Sequence, residues 1–313
     1  METYFTMNNQ GTVHINYTIG FGNNIFQYCM GRLLAETHGF ELVHNNPDLE
    51  KIGISSKALD VRNNLPTYIV DDNNYKKILF ANQAPANFVI NGYFEDYKIF
   101  KPHLNRIRSW FSETNITNES DVILHIRLQN RLIQESHHKN HISADSFKGI
   151  LEKFEYDRLH IVTDAEKWEE HTVEDIRGIQ NEIASGPNPP SNSPWVTTEQ
   201  SLDYANHLIT ALSELNPIVH CNGSSVLPDS GALRGDFIND FNLLRSFKQV
   251  IIFNSTFSWW AATLSGAENV AIFNPWKIAK PEIQRRNLGE TSFPGWFTWG
   301  SSEDLYFKKY GIS

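Results

Sequence analysis

The feature that most constrains this chain is a rhythm. Between residues 121 and 275, five short runs rich in β-branched residues recur: VILHIR (122–127), LHIVTD (159–164), PIVHCN (217–222), QVIIFNS (249–255) and NVAIFNP (269–275). Helical patterns are expected between and after them, near 144–154, 165–181, 199–215, 236–247 and 256–265. Short apolar strands alternating with helices call for crossover connections, and so for a parallel sheet covered on both faces. This half reads as a Rossmann-like domain.

The first 120 residues read as a smaller, less regular α/β unit. A strand near 12–17 precedes GFGNNIFQYCMGRLLAETHG, in which Ile25, Phe26, Cys29, Met30, Leu33 and Leu34 form one helix stripe. Gly39 supplies a left-handed stop. A second amphipathic helix is expected over 97–112, burying Ile99, Phe100, Leu104, Ile107 and Phe111. The polar stretch SETNITNESD (112–121) marks a linker and suggests domains 1–118 and 119–313. The Pro-rich GPNPPSNSPW (186–195) reads as an excursion from the second domain.

With 27 Lys+Arg against 36 Asp+Glu, the net charge of −9 leaves no basic footprint for nucleic acid. Any anion must therefore be met locally. Two cysteines, Cys29 and Cys221, argue against a disulfide scaffold and for a reducing compartment. The start METYFTMNNQGTVHINY lacks the basic and apolar regions of a signal peptide, and no run reaches the roughly 18 apolar residues of a membrane span. The expectation is a cytoplasmic protein, or one peripheral at a membrane. Five N-x-S/T sequons, beginning at Asn16, Asn115, Asn118, Asn222 and Asn254, arise readily by chance in an Asn-rich chain.

Three segments hold residues suited to chemistry. Gly20 and Gly22 lie where a strand turns into a helix, with Gly22, Asn23 and Gln27 as candidate ligand-binding positions. A tight turn before a core helix explains the same residues. His125 and Arg127 close a buried strand on the same side, at the end where open parallel sheets bind ligands. The fork of Arg127 suits a diphosphate whose charge grows as its bond breaks. An ion-paired strand-end arginine beside a core histidine is the plainer alternative. In VIIFNSTFSWWAATLSG, Asn254, Ser255, Thr256 and Ser258 gather at a helix start, which suits an anion but equally an ordinary N-cap. Trp259 and Trp260 fit helix packing.

Asp164 ends its strand on the same edge and could hold a ribose or a base. Asp236 and Asp240 suit a helix start as well as catalysis. His137, His138 and His141 invite a metal reading, but no cysteine or tight carboxylate cluster accompanies them and no DxD triplet occurs. No metal site is expected.

Together these segments resemble glycosyl transferase family 11, the α-1,2-fucosyltransferase-like enzymes. GFGNNIFQYCMGRLLAETHG is similar to the family's G-x-G-N-x-x-F-Q-Y-A-x-G-R-x-L-A opening, NGYFEDYKIF (91–100) to its G-Y-F-Q-x-x-K-Y-F segment, and NSTFSWWAATL to its N-S-S-F-S-W-W-x-A-x-L. LHIVTDAEKW is similar to F-F-I-F-S-D-D-x-x-W. The resemblance implies two Rossmann-like domains facing across a cleft, a GT-B-like arrangement, with the acceptor on the first and the nucleotide sugar on the second. It also implies inverting transfer of L-fucose from GDP-fucose to a glycan hydroxyl, with no cofactor or metal, and Arg127 on the diphosphate. For the base that activates the acceptor, the candidates are Asp96, Glu95 and His125. The chain departs from the family's H-x-R-R-x-D donor motif, with Leu128 at the second Arg and Asn130 at the Asp. That departure keeps two alternatives open: another nucleotide-sugar donor, or a catalytically silent glycan-binding protein. The tail FPGWFTWG (293–300), with Trp296 and Trp299, either packs or stacks on sugars.

Overall fold

The expected strands condense into two separate parallel sheets. The structure, a computed structural model, describes residues 11–18, 20–57, 64–126, 144–163, 209–221, 237–252, 255–273 and 297–299. The chain divides into two compact units, Met1–Glu113 and Thr114–Ser313.

In the first unit, β1 (Thr12–Ile15), β2 (Glu41–Val43), β3 (Thr67–Val70) and β4 (Asn87–Ile90) lie in the order β2-β1-β4-β3, every pair parallel. Between β1 and β2 runs α1 (Phe21–His38), whose predicted stripe is wholly buried and which ends on left-handed Gly39 at φ 67°. Short helices α2 (Pro47–Glu50) and α3 (Tyr75–Phe80) serve the remaining connections. The helix expected over 97–112 is broken into α4 (Tyr97–Phe100), a 3₁₀ turn (Lys101–His103) and α5 (Leu104–Arg108). Pro102 is the reason, because it lacks an N–H and its ring collides with the carbonyl four residues back. Ile99, Phe100, Ile107 and Phe111 are still buried, whereas Leu104 is only half-buried.

The second sheet contains β5 (Asn118–Ile126), β6 (Leu159–Thr163), β7 (Ile218–Cys221), β8 (Phe247–Ile252), β9 (Asn269–Phe273) and β10 (Phe297–Trp299). Its order is β10-β9-β8-β5-β6-β7, again with every pair parallel. From β5 the chain steps outward to β6 and β7, returns to β8 beside β5, then steps the other way. This is the Rossmann order, with a topological switch point between β5 and β8. One face packs Val122, Leu124, Ile126, Leu159 and Ile161 against Phe147, Ile150 and Leu151 of α6 (Ala144–Leu151). The expected helices at 236–247 and 256–265 are α7 (Phe237–Arg245) and α8 (Thr256–Ser265).

Asn118–Ser120, assigned to a linker by their polarity, already belong to β5. Thr117 and Asn118 donate their backbone N–H groups to the Ser246 carbonyl at 3.1 and 3.2 Å, so a distant partner makes strand of a polar segment. The tail strand Phe297–Trp299 pairs with Ala271–Phe273 at the sheet edge. The expected helix at 165–181 and the Pro-rich segment lie outside the described residues, as does most of the helix expected at 199–215.

Candidate functional site

At the switch point the carboxyl end of β5 meets the start of α8. His125, one residue from the end of β5, is 5% exposed, and its ring lies 5.8 Å from that of Phe257 in the first turn of α8. Phe257 in turn stands edge-on to Phe241 of α7 at 5.3 Å. Ser255 is the N-cap residue. Its carbonyl accepts the Trp259 N–H at 2.9 Å, and its hydroxyl makes no capping bond. Ser258 is fully buried, with Oγ 3.4 Å from that carbonyl, and Thr256 is half-buried. His125, Ser255, Thr256 and Ser258 are thus brought to one sheet edge, beside the positive end of a helix dipole. Trp259 and Trp260, edge-on at 4.9 Å and both buried, are core residues that fix α8. Arg127, Asp164 and Asn254, expected on the same edge, lie outside the described residues, as do Leu128 and Asn130. Asp240 is buried within α7, and Asp236 lies outside.

The opening segment of the first unit is arranged differently from its sequence reading. Only Gly20 lies in the turn, at φ 104°, a region open to glycine; Gly22 is the second residue of α1 and is buried. Asn23 is half-buried on the first helical turn. Gln27 is completely buried, and its amide is engaged by the protein itself. Nε2 donates to the carbonyls of Asn16 at 3.2 Å and Gly92 at 2.9 Å, while Oε1 accepts the Thr18 N–H at 3.0 Å. Asn24 extends the network, donating to the Thr18 carbonyl at 2.7 Å and accepting from Asn46 Nδ2 at 3.0 Å. These amides join the loops after β1 and β4 and the start of α2.

Asp96 carries three bonds. Its Oδ2 accepts the Tyr75 hydroxyl at 2.9 Å and pairs with Lys76 Nζ at 2.7 Å, and Oδ1 accepts the Lys98 N–H at 3.0 Å. Burial by itself would raise its pKa, but Lys76 and Tyr75, aided by Lys98, hold the carboxyl below the usual carboxylate value. A proton acceptor works best with a pKa near the working pH, so these bonds suit an anchor better than a base.

One cluster had no signal in the sequence. His160 Nε2 meets buried Asp121 Oδ2 at 3.2 Å, and its Nδ1 meets His220 Nε2 at 2.8 Å, with the two imidazoles stacked at 5.1 Å. Arg158 reaches the same carboxylate oxygen at 3.2 Å. Desolvation, and then the neighbouring His160, lower the pKa of His220. Only strand pairing brings these residues together. Among the described residues no group of three or more His, Cys, Asp or Glu is placed to hold a metal ion, and no helix is long and apolar enough to cross a membrane. His137, His138 and His141 are outside the described residues.

The Rossmann strand order, with a helix start at its switch point, defines a doubly wound α/β protein of the kind that binds nucleotides at its carboxyl edge. Residues 158–297 match the family model of glycosyl transferase family 11. The match covers β6 to β9, α7 and α8, and begins after His125 and Arg127. Comparison with curated proteins finds no match. The family so matched is one of glycosyl transferases.

Proposed function

We propose that this chain is an inverting, metal-independent glycosyltransferase that moves L-fucose from GDP-fucose to a glycan hydroxyl. The observation that carries the reading is the meeting of His125 with the first turn of α8 at the switch point of a sheet largely covered by the family match. Nucleotide diphosphates bind at such edges because helix N–H groups and the helix dipole meet their charge. Arg127 follows His125 by two residues and would neutralise the leaving diphosphate, with the Ser255–Ser258 turn assisting. Asp164 would hold the ribose or base. The first unit would take the acceptor; its candidate base is Glu95, Asp96 or His125, with Asp96 the least suited because its carboxylate is held low.

Calorimetric titration with GDP in EDTA, with UDP in parallel, tests the donor. Binding of GDP alone is expected. Binding of UDP alone would refute the guanine assignment. Binding of neither would favour the catalytically silent glycan-binding reading, which Leu128 and Asn130 motivate by removing one cation and one carboxylate from the donor motif.

A further inference from the structure

The loop from Asn91 to Asp96, which follows β4, is gripped by two side chains that the proposed chemistry leaves unused. Asp72, in the turn after β3, accepts the Tyr93 N–H on Oδ2 at 2.9 Å and the Phe94 N–H on Oδ1 at 2.7 Å. Gln27 takes the Gly92 carbonyl from the α1 side at 2.9 Å and ties it to the loop after β1. Phe94 is 1% exposed at φ 54°, a left-handed conformation that a bulky residue keeps only when its surroundings over-determine it. Its ring meets Tyr75 edge-on at 5.6 Å, and the Tyr75 hydroxyl returns to Asp96. Gly92 has no room for a side chain, because a Cβ would lie 2.9 Å from Phe94 Cζ and 3.0 Å from Asp72 Oδ2. The loop is therefore tied to Asp72 through two consecutive backbone N–H groups. Within the loop, Asn91 and Tyr93 are exposed, Tyr93 to 37%, and Glu95 is half-buried. A loop that carries an aromatic, an amide and a carboxylate residue has the side-chain types that suit a sugar, which offers one apolar face and a fringe of hydroxyls.

We propose that Asp72 and Gln27 are positioning residues that hold the Asn91–Asp96 loop in the geometry that receives the glycan acceptor. The proposal rests on the transferase reading above. Strained backbone is retained where a site must be pre-organised, and loops beyond strand carboxyl ends are where parallel sheets meet their ligands. Both residues act through the loop backbone and neither needs to touch substrate.

The test uses the full chain with GDP-fucose and a panel of oligosaccharides ending in galactose, glucose or N-acetylglucosamine. Asp72→Ala should lower acceptor kcat/KM by roughly 10- to 100-fold, chiefly through KM, since small misplacements of a substrate-orienting group cost that much. The dissociation constant for GDP should stay unchanged, and the Tyr93 and Phe94 amides should lose protection from hydrogen exchange. Asp72→Asn, which keeps one acceptor oxygen and carries the test if the alanine variant does not fold, should recover part of the loss. Lost amide protection with acceptor KM unchanged would refute the positioning role alone, as would a parallel loss of GDP affinity. Protected amides in a wild-type protein that transfers to no member of the panel would overturn the transferase reading and the acceptor role together.

Discussion

Asn46 offers a test of how the amide network stabilises the first unit. Its Oδ1 caps α2, accepting the N–H groups of Asp48 at 3.0 Å and Leu49 at 3.3 Å, while its Nδ2 donates to Asn24 Oδ1. Asn46 and Asn24 are 7% and 8% exposed, so water does not readily replace either bond. Asn46→Ala removes the cap, at a cost of about 1 kcal/mol. It also strands the Asn24 oxygen, at a further 1–3 kcal/mol or so. The sum is about 2–4 kcal/mol. Asn46→Ser keeps a capping oxygen but is too short to reach Asn24, so it should lose only the second part. The two variants should therefore differ by about 1 kcal/mol. Urea unfolding followed by amide exchange in peptides from residues 20–57 reads the first unit without interference from tryptophans of the second. Equal losses in the two variants would show that the cap contributes nothing, and a neutral Asn46→Ala would refute the network altogether.

Acid should weaken the second unit through His220. His220 has a folded-state pKa below its unfolded value, so the unfolded chain takes the proton first. Stability is then intact above about pH 6.5 and falls as pH drops below it, by at most about 1.4 kcal/mol per pH unit for one proton. Removing that proton site with His220→Gln should flatten the acid limb of urea midpoints measured from pH 8 to 5; an unchanged limb counts against His220 as the source. Trp260→Ala should cost about 3–5 kcal/mol by opening a cavity beneath α8, and a midpoint shift worth under about 1 kcal/mol would contradict its burial. Arg127→Ala should cut turnover by about 10- to 100-fold, the worth of a charge-assisted phosphate contact, with thermal stability kept; full activity would sink the diphosphate role.

Much of the secondary structure was legible because its signals are local. Strand and helix periodicities, the left-handed stop at Gly39 and the helix start at Thr256 depend on neighbours a few residues away. Hence all five strands expected in the second unit formed, and His125 could be assigned to the carboxyl end of its strand before any pairing was known. The misread positions needed competing local rules or distant partners. Pro102 overrode the apolar stripe of 97–112, and Ser246 drew polar Asn118 into a strand.

By itself, then, the sequence determined which segments become strands and helices, where they stop, and which family motifs they carry. Tertiary structure alone decided that β8 returns beside β5 and makes a switch point of two edges. It also decided the work of the polar side chains. Gln27 and Gly92 are 65 residues apart, Asp72 and Phe94 are 22 apart, and His160 and His220 are 60 apart. An amide or carboxylate reads alike as ligand or strut along a chain, because its role depends on the donors and acceptors that folding brings within about 3 Å of it.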